Sequence, residues 1–124
     1  MRESTSPQSF DYKAICKEYF KLLSEKDITG LDCLFSMEII LHDWETYTEG
    51  KNNVVAAYEN IFKSFETIQI SQLAVHESEL SPENSKAIVS ELEVLINQEE
   101  KLFVCDIITF DSKGMIASIR AYKG

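Results

Sequence analysis

The sequence predicts an α+β domain: a cone-shaped, curved and mostly antiparallel sheet with three helices packed on its concave side. Three observations predict this fold class. Apolar residues recur at helical spacing in three segments before residue 66, and they alternate along strands in most of the chain after it. The alternation changes phase near Ser71–Gln72, which indicates a bulge or a strong bend. A bent sheet with helices along one side leaves an apolar, cone-shaped pocket.

The N-terminal half contains the three predicted helices. The first spans residues 10–24 after a cap at Ser6 or Ser9, and the second begins at Asp27. The third runs from a cap at Asn52 or Asn53 to about residue 64. Apolar residues at helical spacing define the buried faces: Ile15, Tyr19, Leu22 and Leu23 in the first helix, and Val54, Tyr58, Ile61, Phe62 and Phe65 in the third. We expect residues 1–8 to form a flexible tail and residues 9–124 to form a single domain.

Strands are predicted for most of the remaining sequence. Residues 38–43 form a short strand with Ile39, Leu41 and Asp43 on one face, and a loop follows at residues 44–50. Longer strands are predicted at residues 66–80 and 85–97, with a turn between them. The last segment, residues 102–122, is predicted to be a β-hairpin.

The C-terminal hairpin carries the most informative residue, Asp106. A loop at Asp111–Gly114 would place Phe110 opposite Met115 and Asp106 opposite Ile119. Apart from Asp106, the residues on that face are apolar: Leu102, Val104, Ile108, Phe110, Met115, Ala117, Ile119 and Ala121. A charged, unpaired carboxyl on an apolar face is costly, so Asp106 must be paired, protonated or outside the interior.

Composition excludes several classes of function. The chain has 124 residues, a net charge of −9 and no cluster of Lys and Arg, which argues against a nucleic-acid partner. No apolar run has membrane-spanning length and no signal core follows the N-terminus, so we expect a cytoplasmic protein without membrane contact. Cys16, Cys33 and Cys105 are predicted to be reduced core residues. Because His42 and His76 lack the spacing of metal ligands, we expect them to be surface or interface residues and we expect no metal site.

Three stretches carry a family resemblance over nearly the whole chain. They are residues 15–35 (ICKEYFKLLSEKDITGLDCLF), 39–50 (IILHDWETYTEG) and 105–124 (CDIITFDSKGMIASIRAYKG). In these stretches the chain resembles the nuclear transport factor 2-like superfamily, and within it the steroid delta-isomerase (ketosteroid isomerase) branch. The resemblance implies a cystatin-like α+β barrel. It also implies a cofactor-free transfer of a proton beside a carbonyl group, through an enolate.

The resemblance further implies the site residues. Asp43 stands where the isomerases carry the catalytic base, and Asp106 where they carry a protonated aspartic acid that shares the oxyanion. Tyr19 matches the tyrosine that hydrogen-bonds the substrate carbonyl, and Tyr58 matches the tyrosine that supports it. Trp44 stands where the isomerases commonly have proline. We expect five further side chains to line the pocket: Trp44, Phe62, Val104, Ile108 and Ile119.

The residue pattern indicates the same chemistry independently. Tyr19 is the polar-tipped member of an apolar helix stripe, Asp43 ends the apolar face of a strand, and Asp106 interrupts one. If the three converge on one cavity, they provide a base and two hydrogen-bond donors for an enolate. Plainer alternatives exist: Tyr19 as a core residue, Asp43 as a turn residue, and Asp106 as the partner of a polar helix group or water. At the level of function, the alternatives are a polyketide-cyclase-like (SnoaL-like) enzyme and a non-catalytic ligand-binding or dimerisation domain.

The expected partners follow from the two faces of the sheet. The pocket on the concave face is expected to take a small apolar carbonyl compound. The outer face of the hairpin is also apolar, which predicts a homodimer through this face unless the N-terminal tail or a loop covers it. The residues of that patch are Phe103, Cys105, Ile107, Ile116 and Tyr122.

Overall fold

The computed structural model describes residues 10–80 and 85–124, which form three helices and six strands. In chain order these are α1 (Tyr12–Glu25), α2 (Ile28–Leu34), β1 (Phe35–His42), β2 (Tyr47–Glu49), α3 (Lys51–Ser64), β3 (Ile68–Leu80), β4 (Ser85–Ile96), β5 (Glu100–Phe110) and β6 (Ile116–Lys123). The predicted tail at residues 1–8 and the predicted turn at residues 81–84 lie outside the described residues. No helix in the described ranges is long and apolar enough to cross a membrane.

The strands form one open, mixed sheet in the order β2-β1-β6-β5-β4-β3. Neighbouring strands are antiparallel except β1 and β6, which run parallel. The predicted fold class is therefore confirmed as three helices with a curved, mostly antiparallel sheet, but the sheet does not close into a barrel. Strand β2 was expected to be part of a loop, because three residues are too few to display an alternating pattern.

The two longer helices pack on the sheet, and α2 contacts both of them. Helix α1 packs against β3 and β4, and α3 packs against β1, so the two longer helices cover opposite ends of the sheet. Both bury the faces that their apolar spacing predicted. Fully buried side chains between the layers form the core, including Tyr19, Leu31, Phe35, Ile39, Val54, Ile88, Ile108 and Ile119.

The helix ends differ from the prediction in two places. Asp11 caps α1 by accepting a hydrogen bond from the backbone N–H of Ala14 at 3.1 Å, whereas the expected caps Ser6 and Ser9 lie outside the described residues. Gly50, with a φ of 91°, is the N-cap of α3, so the expected caps at Asn52 and Asn53 are wrong. The predicted start of α2 is confirmed, because Asp27 caps it through the N–H of Gly30 at 2.9 Å.

The predicted bend in β3 is confirmed. The pairing of β3 with β4 shifts register between Gln72 and Ala74, and Leu73, the residue left out of the ladder, is 56% exposed. An extra residue in one strand increases the local twist. This bulge changes which alternate residues of β3 face the helices, as the phase change indicated.

The register of the C-terminal hairpin differs from the prediction by two residues. Asp106 lies opposite Ala121, and Ile108 lies opposite Ile119. One of the two residues is gained in the loop, which now includes Met115: Phe110 lies opposite Ile116, and the Asp111 side chain accepts hydrogen bonds from the backbone N–H groups of Lys113 and Met115. Between Thr109 and Phe110 the register also shifts, so that Ala117 has no partner in β5.

The predicted burial of two residues is wrong. Ile116 was expected on the outer face, but the register shift in the hairpin turns it inward and it is fully buried. Cys33 was expected in the core, but it is exposed on α2 because its side chain lies on the face of this short helix away from buried Leu31. Cys16 is buried and Cys105 is half-buried, and all three cysteines are free thiols.

Candidate functional site

A cavity of about 380 Å³ lies between α1, α3 and the concave face of the sheet. Four polar side chains that the sequence singled out line it together: Tyr19, Asp43, Tyr58 and Asp106. The expected apolar wall residues Trp44, Phe62, Val104 and Ile119 line it as well. Ile108 does not, because it is fully buried in the core beyond Asp106, where it pairs with Ile88 and Ile119.

Asp106 is a carboxyl in an apolar wall. Its side chain is only 5% exposed, and no hydrogen bond from another described residue reaches it. Burial raises the pKa of Asp106 to about 7, and the nearby charge of Asp43 contributes to the increase. A substantial fraction of the Asp106 side chains therefore carries a proton at neutral pH. In that state Asp106 can donate a hydrogen bond into the cavity.

Tyr19 and Tyr58 form a buried pair beside this acid. Their hydroxyl groups are hydrogen-bonded to each other, and their rings meet edge to face with centroids 6.3 Å apart. Burial raises the pKa of both hydroxyls, and the charge of Asp106 contributes in each case. Both tyrosines consequently stay protonated at physiological pH. Since one hydroxyl donates to the other, the pair has one further O–H to offer to a ligand.

Asp43 lies immediately after β1 and belongs to a tight turn. Its Oδ1 accepts hydrogen bonds from the backbone N–H groups of Glu45 at 2.8 Å and Thr46 at 2.7 Å, and its own N–H donates to the carbonyl of Thr46 at 2.9 Å. This is the Asx-turn role that a strand-ending Asp commonly has. The side chain is only half-buried and also lines the cavity. The hydrogen bonds among described residues involve Oδ1 alone, which leaves Oδ2 available to the cavity.

Trp44 and Lys123 form part of the cavity rim. The ammonium group of Lys123 lies over the Trp44 ring at 5.6 Å from the centroid, within the range of a cation–π contact. Trp44 itself is 44% exposed. The exposed side chains of Glu45 and Glu100 also line the cavity. The cavity is therefore polar at its rim and apolar inside, apart from Asp106 and the two tyrosines.

Much of the apolar interior of the cavity was not predicted from the sequence. Side chains from α1, β3 and β4 supply it, among them Leu23, Ile68, Ile70, Leu92, Val94 and Ile96. The alternating pattern of β3 and β4 gave the only signal for these residues, since it predicted which of them face inward. It could not predict their distance from Asp106, because that distance depends on how strands far apart in sequence pair.

The two histidines lie outside the cavity wall. His42 is exposed and its ring meets that of Tyr47 at 5.1 Å, while His76 pairs with Glu91 at 3.2 Å on the sheet surface. In the part of the chain that the structure describes, no three His, Cys, Asp or Glu side chains form a group that could hold a metal ion.

Solved structures share this architecture over nearly its full length. Nuclear transport factor 2 from Cryptosporidium parvum is 20% identical, with a TM-score of 0.76 over 98% of this chain and 98% of that chain. The chain has the nuclear transport factor 2-like fold. A Kribbella flavida protein provisionally described as a ketosteroid isomerase is 11% identical, with a TM-score of 0.71 over 91% of this chain and 77% of that chain.

Another protein with this fold is the epoxide hydrolase/cyclase-like enzyme SalBIII, described for pyran ring formation in the polyether salinomycin. It is 21% identical, with a TM-score of 0.67 over 91% of this chain and 90% of that chain. Neither a protein-family model nor a curated protein matches the chain by sequence. The resemblance found in the sequence is thus confirmed at the level of the fold. Proteins with this fold have different functions, so the activity has to be argued from the cavity.

Proposed function

We propose that this chain is a cofactor-free, ketosteroid-isomerase-like enzyme that transfers a proton beside the carbonyl group of a small apolar compound. The observation that carries the proposal is the Asp106 carboxyl: 5% exposed, with a pKa of about 7, and lining an apolar cavity without a hydrogen-bond partner among the described residues. A buried carboxyl in this state is expensive for folding, which favours a functional role. Its neutral form suits one task in particular, donation to an oxygen that becomes negative.

The donors would act on the substrate carbonyl. In this proposal the carbonyl oxygen accepts hydrogen bonds from Asp106 and from Tyr19, while Tyr58 donates to the Tyr19 hydroxyl and holds it in place. Removal of a proton from the adjacent carbon moves an electron pair onto this oxygen and gives an enolate. Preorganised donors in a dry site stabilise that charge more strongly than water does.

Asp43 would be the base. Its Oδ1 is held by the turn, and the residue lines the cavity, so Oδ2 is left for the substrate. The carboxylate takes the proton from the carbon next to the carbonyl and returns it to another carbon of the conjugated system, which completes an isomerisation without net consumption of a proton. Such a shuttle needs no cofactor, because one side chain both accepts and donates the proton.

The size of the cavity limits the substrate class. At about 380 Å³ the cavity lies near the lower end of the range for drug-sized ligands, about 300–1,000 Å³. Its interior is supplied by aliphatic and aromatic side chains. A compact apolar ketone fits this description, with the carbonyl at the Asp106 end and any polar substituent at the rim near Lys123.

The direct experiment offers a β,γ-unsaturated ketosteroid to the purified protein and follows the conjugated product by ultraviolet absorbance. The proposal predicts turnover, and it predicts binding of a phenol that mimics the enolate. Absence of both would contradict the proposal. Phenol binding without turnover would indicate a related enolate reaction on another substrate, such as a polyketide-cyclase-like reaction.

A non-catalytic ligand-binding role is the second candidate, and the turn at Asp43 favours it. A carboxylate that accepts two backbone hydrogen bonds already has a structural reason to be there. In this case the Asp106 and tyrosine donors would bind a carbonyl compound without chemistry. Proton NMR of the ligand recovered after long incubation provides the test: unchanged vinylic signals would support this role, and any shifted double bond would exclude it.

We also propose a homodimer through the outer face of the sheet. Phe103 and Tyr122, on adjacent strands, remain 52% and 54% exposed and support this proposal, whereas Ile116 no longer does. Light scattering of the wild type and of Phe103→Glu provides the test. A dimer that the variant disrupts is expected, and a wild-type monomer at micromolar concentration would contradict the proposal.

A further inference from the structure

Ser90 is a fully buried hydroxyl for which the proposed reaction has no use. Its Oγ has no hydrogen-bond partner in the described part of the chain. Two other described side chains have a comparable buried, unpaired atom, the Oγ1 of Thr67 and the Nε2 of Gln72. Thr67 precedes β3 and Gln72 lies in it, and β3 pairs with β4 alone. Ser90 is therefore the one of the three that lies directly beside β5, the strand of Asp106.

The sheet places Ser90 directly opposite Asp106. In the ladder of β4 and β5 these two residues are partners, so their side chains project from the same face. The row continues with Val75 on the far side of Ser90 and Ala121 on the far side of Asp106. Since neither Val nor Ala side chains can form hydrogen bonds, each member of the pair is the only polar neighbour of the other along this row.

The surroundings along the strands are apolar as well. The next inward-facing pairs are Ile88 with Ile108 and Leu92 with Val104. A buried hydroxyl without a partner costs about 1–3 kcal/mol, and a buried carboxyl costs more. Directly opposed residues have Cβ atoms about 4.5–5.5 Å apart, so a rotation of the Ser90 side chain can bring its hydroxyl to the carboxyl.

We propose that Ser90 is a positioning residue for Asp106: its hydroxyl donates a hydrogen bond to the inner carboxyl oxygen, and the outer oxygen is left to face the cavity. This hydrogen bond would determine which oxygen of Asp106 carries the proton. When Asp106 is neutral, its proton resides on the outer oxygen, where a ligand oxygen can accept it. Ser90 does not line the cavity, so it acts on a ligand only through Asp106.

Other titratable groups face Asp106, and their influence on its titration has to be distinguished from that of Ser90. They are Cys16 and Tyr19 on α1, Tyr58 on α3, and Asp43 at the end of β1. Burial raises the pKa of the Cys16 thiol to about 12, with a contribution from Asp106, so the thiol is neutral wherever Asp106 titrates. The two tyrosines are neutral there for the same reason. Asp43 is the other carboxyl among these groups, and its charge contributes to the raised pKa of Asp106; an Asp43→Asn background removes that contribution.

The inference deepens the proposed function, because it concerns the same carboxyl, but its test needs neither substrate nor turnover. The test is a carbon-13 NMR titration of labelled aspartate carboxyls, with the Asp106 signal assigned by its loss in Asp106→Asn. A hydroxyl that donates to the carboxylate stabilises the ionised form. Ser90→Ala should therefore raise the titration midpoint of Asp106 by about 0.5–1 pH unit, with Ser90→Cys in between because a thiol is a weaker donor.

Ser118→Ala is the matched control. The Ser118 hydroxyl is hydrogen-bonded to Thr109 across β5 and β6, away from Asp106, so this change should leave the midpoint where it is. An unchanged midpoint in folded Ser90→Ala would overturn the proposal, and so would a lower one, which would mean that Ser90 accepts a hydrogen bond from the neutral acid. If Ser90→Ala does not fold, Ser90→Cys decides the question by the same criterion. A lack of isomerase activity would leave this result unaffected.

Discussion

The rim and the wall of the cavity give two aspartate side chains opposite environments. Asp43 at the rim is half-exposed and accepts two backbone hydrogen bonds. Asp106 in the wall is buried and accepts none from the described residues. Water and backbone donors support a carboxylate, whereas an apolar wall favours the neutral acid. In the proposed reaction, this contrast would let one residue type supply both a base and a hydrogen-bond donor within a single cavity.

The largest expected effect is the loss of turnover when Asp43, at the cavity rim, is replaced. Asp43→Asn keeps an oxygen that can accept the two turn hydrogen bonds, so the turn should persist, but the amide cannot act as the base. We expect turnover of a β,γ-unsaturated ketone to fall by about 10³-fold or more, because general base catalysis typically contributes about 10²–10⁴-fold. Affinity for a phenol should change little.

Glu45→Gln is the control for this prediction, because Glu45 is an exposed carboxyl at the same rim. It should retain nearly all of the wild-type rate. If both variants, or neither, lost activity, the assignment of the base to Asp43 would be wrong.

The second prediction changes the wall. Asp106→Ala removes a donor to the developing oxyanion, which is worth about 2–4 kcal/mol, so kcat should fall by about 30- to 10³-fold. Asp106→Asn keeps an N–H donor and should lose less. Steady-state kinetics of the two variants provide the measurement, and equal losses would indicate that donation by Asp106 contributes nothing.

The third prediction concerns folding. The unfolded Asp106 carboxyl has a pKa near the model-peptide value of 3.8 and the folded one about 7, so between these values the folded state binds more protons. The free energy of unfolding must therefore fall as pH rises from about 4 to about 7. The free energy of unfolding of Asp106→Asn should not show this decrease. At pH 8 the variant should therefore be more stable than the wild type, by an amount of the order of 2–4 kcal/mol.

Urea unfolding at several pH values measures this difference. Glu66→Gln, which removes the charge of an exposed carboxyl, should show no comparable change with pH. A difference between Asp106→Asn and wild type that did not grow with pH would contradict the burial argument.

The fourth prediction is smaller and tests the tyrosine pair. Tyr58→Phe removes the hydroxyl that is bonded to Tyr19. A hydrogen bond of this kind contributes about 1 kcal/mol, so phenol binding should weaken by about fivefold. Tyr47→Phe, which removes an exposed hydroxyl bonded to Glu49, should bind like the wild type in the same fluorescence titration. Equal affinities for all three proteins would mean that Tyr58 does not support the donor.

The sequence predicted the fold and the polar part of the site because both depend on local periodicity. Helical spacing placed Tyr19 and Tyr58 inward, and strand alternation did the same for Asp43 and Asp106. The hairpin register could not be predicted, since it depends on the hydrogen bonds of Asp111 and on the bulge at Ala117. The error was an even number of residues, so Asp106 and Ile119 still share a face. For Ile116, on the other side of the bulge, the face itself was wrong.

Ile108 and Ser90 show a second limit of prediction from the sequence, which is that a local pattern does not reveal three-dimensional neighbours. Alternation correctly placed Ile108 inward, but it could not tell a core residue from a cavity wall, since that depends on how far the helices stand from the sheet. Ser90 received no attention in the sequence because a lone serine in a strand has no distinctive pattern. The role proposed for it depends on strand pairing, which places it opposite Asp106.

The central claim is that neutral Asp106 presents a proton to the cavity, and the pH dependence of phenol binding tests it most directly. The affinity of a naphthol probe should be constant at low pH and fall as pH rises through about 7, because ionised Asp106 cannot donate and repels electron-rich oxygen. In Asp106→Asn the affinity should not vary with pH across this range. A wild-type affinity that is independent of pH between about 5 and 9, or a decline that persists in Asp106→Asn, would contradict the account.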